Sequence, residues 1–197
     1  MSSISKLARR ALVIIGAIWA LSGHSLAEAP CGGIDAAPPF ADANQEIRIA
    51  DAAFSVSMNG HCPSMRLADG IKKPRILFFW MRLEGGRAAL EKLKSEGRLP
   101  IRHRWVARVG SRSSLDGSED IPATDAMGRD VLQLTNEANE LSFFDWRTKT
   151  RKERIFRNSS YRIEILDALD RPIPCAENLD CLPCADGIRC AVRMKIR

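Results

Sequence analysis

The 197-residue sequence contains no complete motif for a nucleotide-binding loop, a serine nucleophile, a paired-histidine zinc helix or a dinucleotide. It has three histidines and one tyrosine, so few side chains are available for general acid–base chemistry. No segment recurs at a solenoid period, and glycine and proline are near average use, which excludes repeat and low-complexity proteins. These absences predict a non-enzymatic globular protein without a cofactor.

The sequence also has no long apolar run of the kind that spans a membrane. The run at residues 11–21 is shorter than the roughly 18 to 20 residues that a span requires. Lys6, Arg9 and Arg10 precede it, and Ser25 and Ala27 supply the small residues that signal peptidase recognises. We therefore predict a signal peptide over residues 1–27, a periplasmic or secreted protein, and no transmembrane span after cleavage.

Removal of the signal peptide lowers the charge of the protein. Three of the 30 basic residues and none of the 24 acidic ones precede residue 28, so 27 basic residues face 24 acidic ones, a net charge of +3. An exported protein with this charge is not expected to bind nucleic acid.

Residues 28–45 are rich in Ala, Pro and Gly without periodicity, and we interpret them as a flexible arm. Apolar residues then predict strands within 46–58, 75–83, 99–109, 161–167 and 188–196, with a short helix in 86–96. Residues 110–130 have the composition of a loop, and 131–141 stay open between helix and strand. In 99–109, the basic side chains Arg102, Arg104 and Arg108 alternate with His103 and Trp105.

This pattern predicts a mainly β protein, an antiparallel β-sandwich of immunoglobulin-like type with one helical insert, over residues 46–174. A cysteine-rich tail at 175–197 would end in a strand. A small β-barrel is the alternative architecture.

Four motifs follow one another in the predicted strands: Leu77-Phe-Phe-Trp-Met-Arg-Leu83, His103-Arg-Trp105, Trp146-Arg-Thr-Lys-Thr150 and Tyr161-Arg-Ile-Glu-Ile-Leu-Asp167. Their order resembles a family of bacterial extracytoplasmic domains of unknown function. That family shows an aromatic strand, His-x-Trp, Trp-Arg-x-x-Ser and a final Val-x-Val-x-Asp-x-x-Gly hairpin. The helical insert, Thr150 in place of Ser, Asp170 in place of Gly, and the cysteine-rich tail depart from it. The resemblance implies a β-sandwich in the cell envelope and no reaction.

The cysteines form an even set of six, which in an exported protein predicts disulfides: Cys31, Cys62, Cys175, Cys181, Cys184 and Cys190. Pairing Cys31 with Cys62 closes a loop of about 30 residues and contributes roughly 3.5 kcal/mol by chain entropy. The same reasoning favours nested tail pairs, with Cys175–Cys190 around Cys181–Cys184, although fifteen pairings are possible. A thiol–disulfide redox pair at Cys181 and Cys184 and a four-cysteine zinc site are alternatives.

Basic residues also recur at every second position in two further segments, at Arg147, Lys149 and Arg151 and again within 189–197. If these strands neighbour 99–109, one sheet face is strongly positive and suits phosphate or sulfate groups. A solvated face balanced by nearby acids is the alternative.

His103 and Trp105 either line a ligand cavity or belong to the core. We predict an exported, non-enzymatic module that binds an anionic lipid, a polysaccharide or an envelope protein. A structural subunit whose last strand pairs with another chain is a further hypothesis.

Overall fold

The computed structural model describes residues 44–60, 62–121, 143–184 and 186–197. Its elements in chain order are β1 (Arg48–Ser55), β2 (Met58–Asn59), β3 (Cys62–Pro63), β4 (Leu77–Gly86), α1 (Arg87–Ser95), β5 (Ile101–Val109), β6 (Arg112–Ile121), β7 (Phe143–Lys152), β8 (Ser159–Leu166), β9 (Leu182–Pro183) and β10 (Arg189–Ile196). The predictions for the signal peptide, most of the arm, Cys31 and residues 131–141 lie outside the described residues.

The described strands form a three-stranded sheet in the order β1-β4-β7, a five-stranded sheet in the order β6-β5-β8-β10-β9, and the short β2–β3 hairpin. Neighbouring strands run antiparallel in all three. The two larger sheets pack face to face, and Phe54 of one sheet lies 6.3 Å from Trp105 of the other, centroid to centroid. The predicted mainly β, sandwich-like class is confirmed, and the described strands form separate sheets instead of one closed barrel.

Alternation along β5 and β8 builds the centre of the core. His103, Trp105 and Ala107 point inward from β5, while Tyr161 and Ile163 do so from β8, and all five side chains are buried. A strand turns successive side chains to opposite faces, so the arginines between these positions are directed outward. The core therefore fixes which face of β5 carries positive charge.

The central strand of the smaller sheet is buried on both faces, which explains its continuous apolar sequence. Phe79 and Met81 face the other sheet. On the opposite side Trp80 is fully buried, and Arg66 lies over its ring at 5.7 Å from the centroid. The segment that contains the β2–β3 hairpin thus covers the outer face of this sheet.

Helix α1 forms where the helical insert is predicted. Leu90 and Leu93 are three residues apart and both are buried, while Arg87 and Glu91 pair on the exposed side at 3.1 Å. Gly97 follows in the left-handed region at φ +67°, which suits a residue without a Cβ. The nine residues of α1, the helix in the described part of the chain, cannot cross a membrane.

The prediction of a loop over residues 110–130 is wrong for 112–121, which form β6. This strand pairs with β5 through the turn at Gly110 and Ser111, and Gly110 takes φ +60°. A bulge interrupts the pairing after Trp105. Because β6 is an edge strand, its backbone pairs on one side while its polar side chains meet solvent, so it lacks the apolar alternation of β5.

The tail joins the sandwich: β10 lies between β8 and the short β9 in the larger sheet. The nested disulfide prediction is wrong, because Cys175 is bonded to Cys181 and Cys184 to Cys190. Pairing of β9 with β10 places Cys184 and Cys190 on either side of one turn, which brings these two thiols together. Cys62 is also disulfide-bonded.

The last strand does not present a free edge. β9 pairs with its beginning, and Ile71 pairs with its end at Ile196. The backbone N–H of Gly70 also donates to the carbonyl of Lys195 at 2.9 Å. These contacts use the hydrogen-bonding groups that an added strand from another chain would require.

Asp167 closes the turn that follows β8. Its buried carboxylate accepts hydrogen bonds from the backbone N–H groups of Leu169, at 2.8 Å, and Arg171, at 2.9 Å, and from the side chains of Arg98 and Arg171. Burial alone would raise the pKa of Asp167, but these hydrogen bonds outweigh it and lower that pKa. Asp170 adopts φ +60°, the conformation that a glycine at this position would take most easily.

Candidate functional site

The predicted basic residues do not share one face. β5 and β10 belong to the five-stranded sheet, whereas β7 lies at the edge of the three-stranded sheet on the other side of the core. Lys149 donates to the carbonyl of Gly60 at 3.1 Å, and Arg151 pairs with Glu153. Arg147, Lys149 and Arg151 are therefore separated from the β5 arginines by the thickness of the sandwich.

Two of the three β5 arginines are balanced by carboxylates. Arg102 lies 2.7 Å from Asp120 and 2.9 Å from Asp170, and Arg104 lies 2.6 Å from Glu164. These contacts match the alternative of a solvated face with compensated charge. Arg108 differs, because it donates a hydrogen bond to the carbonyl of Gly110 at 3.3 Å and forms no ion pair with any described residue.

His103 and Trp105 lie between the two sheets. The Oγ1 atom of Thr150 lies 3.1 Å from Nδ1 of His103 and accepts a hydrogen bond from Trp105 Nε1 at 3.2 Å. The edge of the imidazole packs against Phe79, and Nε2 is buried without a partner. Burial lowers the pKa of His103 to about 3, so the ring is neutral at physiological pH. This environment corresponds to the core alternative.

Basic side chains collect instead at the end of the sandwich where β4 begins and β5 ends. Seven of them are exposed and form no ion pair with any residue that the structure describes. We call this set the cationic end: Lys72, Lys73, Arg75, Arg112, Arg154, Arg157 and Arg197.

Backbone contacts bring these residues together from distant parts of the sequence. Arg197 donates its N–H to the carbonyl of Ile71 at 2.8 Å, and Lys73 donates to that of Arg197 at 3.0 Å. The register pairs Ser159 with both Val109 and Ile196. The residues before β4, the β5–β6 turn, the β7–β8 loop and the chain terminus therefore meet at one end.

Two exposed apolar side chains accompany the cationic end. Phe156 is 46% exposed and stands between Arg154 and Arg157, and Val109 at the adjacent turn is 45% exposed. Ile155 in the same loop is buried, and the N–H of Phe156 donates to the Tyr161 hydroxyl at 3.0 Å. The loop is thus fixed to the core while its aromatic ring faces outward.

At the opposite end of the sandwich, several basic side chains meet carboxylates. Six carboxylates there take part in ion pairs: Glu84, Glu91, Glu96, Asp120, Asp167 and Asp170. The two ends of the sandwich therefore differ in how far their basic side chains are matched by carboxylates.

Two grooves open near β10. The larger, about 320 Å³, lies at the open side between β1 and β10, and its lining includes Asp69 and Asp180. The smaller, about 260 Å³, lies on the outer face of the five-stranded sheet and has no carboxylate in its lining. Its basic side chains are Arg108, Arg162 and Arg193.

Sequence reasoning missed most of these residues. The alternation within 189–197 predicts Arg193 on the outward face, and the alternation along β8 could have placed Arg162 outward as well, but their proximity to Arg108 depends on strand order. The cations of the cationic end lie mostly in loops, where no periodicity marks them. No protein-family model, curated protein or solved structure matches the chain.

Proposed function

We propose that the protein is an exported, non-enzymatic binding module that docks its cationic end on an anionic lipid surface of the cell envelope. The observation that carries this proposal is the concentration at one end of seven exposed basic side chains that form no ion pair with a described residue. Residues 70–76, 109–112, 153–158 and 196–197, which build this end, contain one acidic side chain, Glu153, and it pairs with Arg151. Asp69 at its border accepts a hydrogen bond from the backbone N–H of Lys195 at 2.9 Å.

The energetics favour a membrane surface. A Lys or Arg beside an anionic bilayer contributes about 1 kcal/mol, so seven at one end supply on the order of 5 kcal/mol. Inserting the exposed part of Phe156 adds about 1 kcal/mol. Aromatic side chains among basic ones are typical of proteins that bind at the membrane interface. The exposed apolar side chains of Phe156 and Val109 can both be buried in a lipid interface, so we favour lipid as the ligand.

Further support comes from the cysteines and the N-terminal sequence. Disulfides such as Cys175–Cys181 persist in oxidising compartments outside the cytoplasm, in agreement with the predicted signal peptide. The proposed resemblance to extracytoplasmic domains points the same way. The redox alternative has less support, because Cys181 and Cys184 are each bonded to a different cysteine.

Vesicle flotation tests the proposal. The purified protein should bind vesicles that contain phosphatidylglycerol and not vesicles of phosphatidylcholine alone. The double variant Arg154→Gln/Arg157→Gln should weaken binding about 30-fold, because two contributions of about 1 kcal/mol are lost. The matched control Arg87→Gln/Lys92→Gln removes the same charge from α1 at the opposite end and should change binding less than about threefold.

Salt dependence and one apolar substitution complete the test. Raising ionic strength shortens the Debye length from about 10 Å at 0.1 M to about 3 Å at 1 M, so binding should fall steeply over this range. Phe156→Ala should weaken binding, whereas Leu169→Ala, which alters an exposed apolar residue at the other end, should not. Equal binding to neutral vesicles, or equal loss in the Arg87/Lys92 control, would contradict the proposal.

A further inference from the structure

The smaller groove on the five-stranded sheet is lined by cations and hydroxyl groups. Its polar lining consists of Arg108, Arg162, Arg193, Ser111, Ser113 and Ser160. Val106 and Leu182 supply apolar surface beside them. Hydrogen-bond donors thus reach the groove from four different strands and from the β5–β6 turn. Donors arranged in this way could contact a compact anion from several sides.

Strand register places these side chains in adjacent rows. Arg162 of β8 is the direct neighbour of Arg193 on β10 and of Val106 on β5. In the next row Ser160 lies between Arg108 and Lys195. Neighbouring strands are about 4.8 Å apart, so Arg162 and Arg193 extend from adjacent backbone positions in the first row. Like charges in directly opposed positions destabilise a sheet, unless an anion bridges them.

The charge of this row is only partly compensated. Arg162 is held by Glu164 at 3.0 Å and by the carbonyl of Pro183 at 2.7 Å, while its Nε is buried without a hydrogen-bond partner. Glu164 also serves Arg104. Arg193, like Arg108, forms no ion pair with a described residue. One guanidinium is therefore fixed in position, and the two arginines beside it form no ion pair with a described residue, although Arg193 also borders the larger groove that Asp69 and Asp180 line.

We infer that this groove binds a phosphate monoester group. A dianionic tetrahedral phosphate has enough oxygens to accept paired hydrogen bonds from guanidinium groups and single ones from serine hydroxyls. The volume of about 260 Å³ is below the roughly 300–1,000 Å³ of sites for larger ligands, so it suits a headgroup better than an extended chain. The larger groove is unsuitable because Asp69 and Asp180 line it.

This site deepens the proposed function and rests on it, since it names the headgroup that the docked module recognises. A phosphate monoester is carried by lipids such as phosphatidic acid and also by small water-soluble esters. The chemistry is the same in both cases, so vesicles and inorganic phosphate are needed as separate probes.

Titration calorimetry with inorganic phosphate tests the site directly, in a low-chloride buffer at a pH where inorganic phosphate is mainly the dianion. We expect one saturable site per protein. Arg193→Gln should weaken it about tenfold or more, and Arg108→Gln should act in the same direction. Arg112→Gln removes a nearby charge outside the groove and should change the affinity less than about twofold. Circular dichroism verifies that each variant is folded. If Arg193→Gln does not fold, Arg108→Gln takes its place as the test of the groove.

Absence of saturable binding, or equal weakening by Arg112→Gln, would overturn the inference. Vesicles of equal surface charge identify the source of the phosphate: preference for phosphatidic acid over phosphatidylglycerol, lost in Arg193→Gln, indicates a lipid. Phosphate binding without that preference indicates a soluble ester. If the protein binds phosphatidylglycerol vesicles but not phosphate, this site is refuted and the proposed function still stands. If it binds phosphate but no vesicles, the proposed function is refuted and the phosphate site still stands.

Discussion

His103 should make the stability of this protein fall with acidification well above the pH at which carboxylates titrate. The ring is fully buried, which lowers its pKa from an ordinary value of 6.5 to about 3. In the unfolded chain the ring takes up a proton near pH 6.5, but in the folded protein it stays neutral. The stabilisation is therefore present above pH 6.5 and is lost as pH falls towards 3.

The size of the effect follows from these two pKa values. Between about pH 7.5 and 4.5 the free energy of unfolding should decrease by about 2.5 kcal/mol through His103 alone. The same loss results for any folded-state pKa below about 4, because the folded ring then binds almost no proton in this window. Asp167, whose pKa is lowered, contributes mainly below this window, whereas Glu119, whose pKa is raised by burial, acts in the opposite sense to His103. Both are present in a His103 variant as well, so comparison of wild type and variant isolates the histidine.

Urea unfolding followed by tryptophan fluorescence at several pH values measures this dependence. His103→Gln keeps a polar group near Thr150 but removes the titrating ring. Between about pH 7.5 and 4.5, the decrease in the free energy of unfolding should therefore be about 2.5 kcal/mol smaller for the variant than for the wild type. His61 is present in both proteins and cancels in the comparison. Parallel curves for the two proteins, or a folded-state NMR titration of His103 near pH 6.5, would refute the reasoning.

Two further predictions concern the turn and the tail. Asp167→Asn should lower the free energy of unfolding by about 3 kcal/mol, because it removes the buried charge that faces Arg98. The control Asp170→Asn, at an exposed site, should lower it by less than about 1 kcal/mol, and urea unfolding measures both variants. Replacing both Cys184 and Cys190 by Ser should cost about 2 kcal/mol, since the disulfide closes a short loop. Non-reducing peptide mapping should recover these two cysteines in one linked peptide pair, and a Cys181–Cys184 link would contradict the structure.

The strands that could be predicted from sequence are those that hide one face and expose the other. β5 (Ile101–Val109) and β8 (Ser159–Leu166) show this alternation, because both lie inside the larger sheet against the core. β6 (Arg112–Ile121) could not be predicted in this way. It is an edge strand held mainly by backbone hydrogen bonds to β5, and these leave no trace in side-chain chemistry.

The tail disulfides show a different limit of sequence reasoning. Chain entropy ranks pairings by loop length alone and favoured the nested arrangement. The hairpin of β9 and β10 settles the pairing instead, because Cys184 donates its N–H to the carbonyl of Ile188 at 2.7 Å and the turn then leads directly to Cys190. A pairing rule that omits strand register cannot find this solution.

Net charge is similarly a poor guide to the candidate site. Along the outer face of the five-stranded sheet, Arg102 and Arg104 are matched by carboxylates, whereas Arg108 and Arg193, nearer the cationic end, form no ion pair within the described part of the chain. If these charged side chains only kept the protein soluble, we would expect basic and acidic residues to be mixed along this face, because a cluster of like charges destabilises the folded state by repulsion. An asymmetric distribution also orients the molecule as it approaches an anionic surface, and it places the arginine-lined groove close to the end that arrives first.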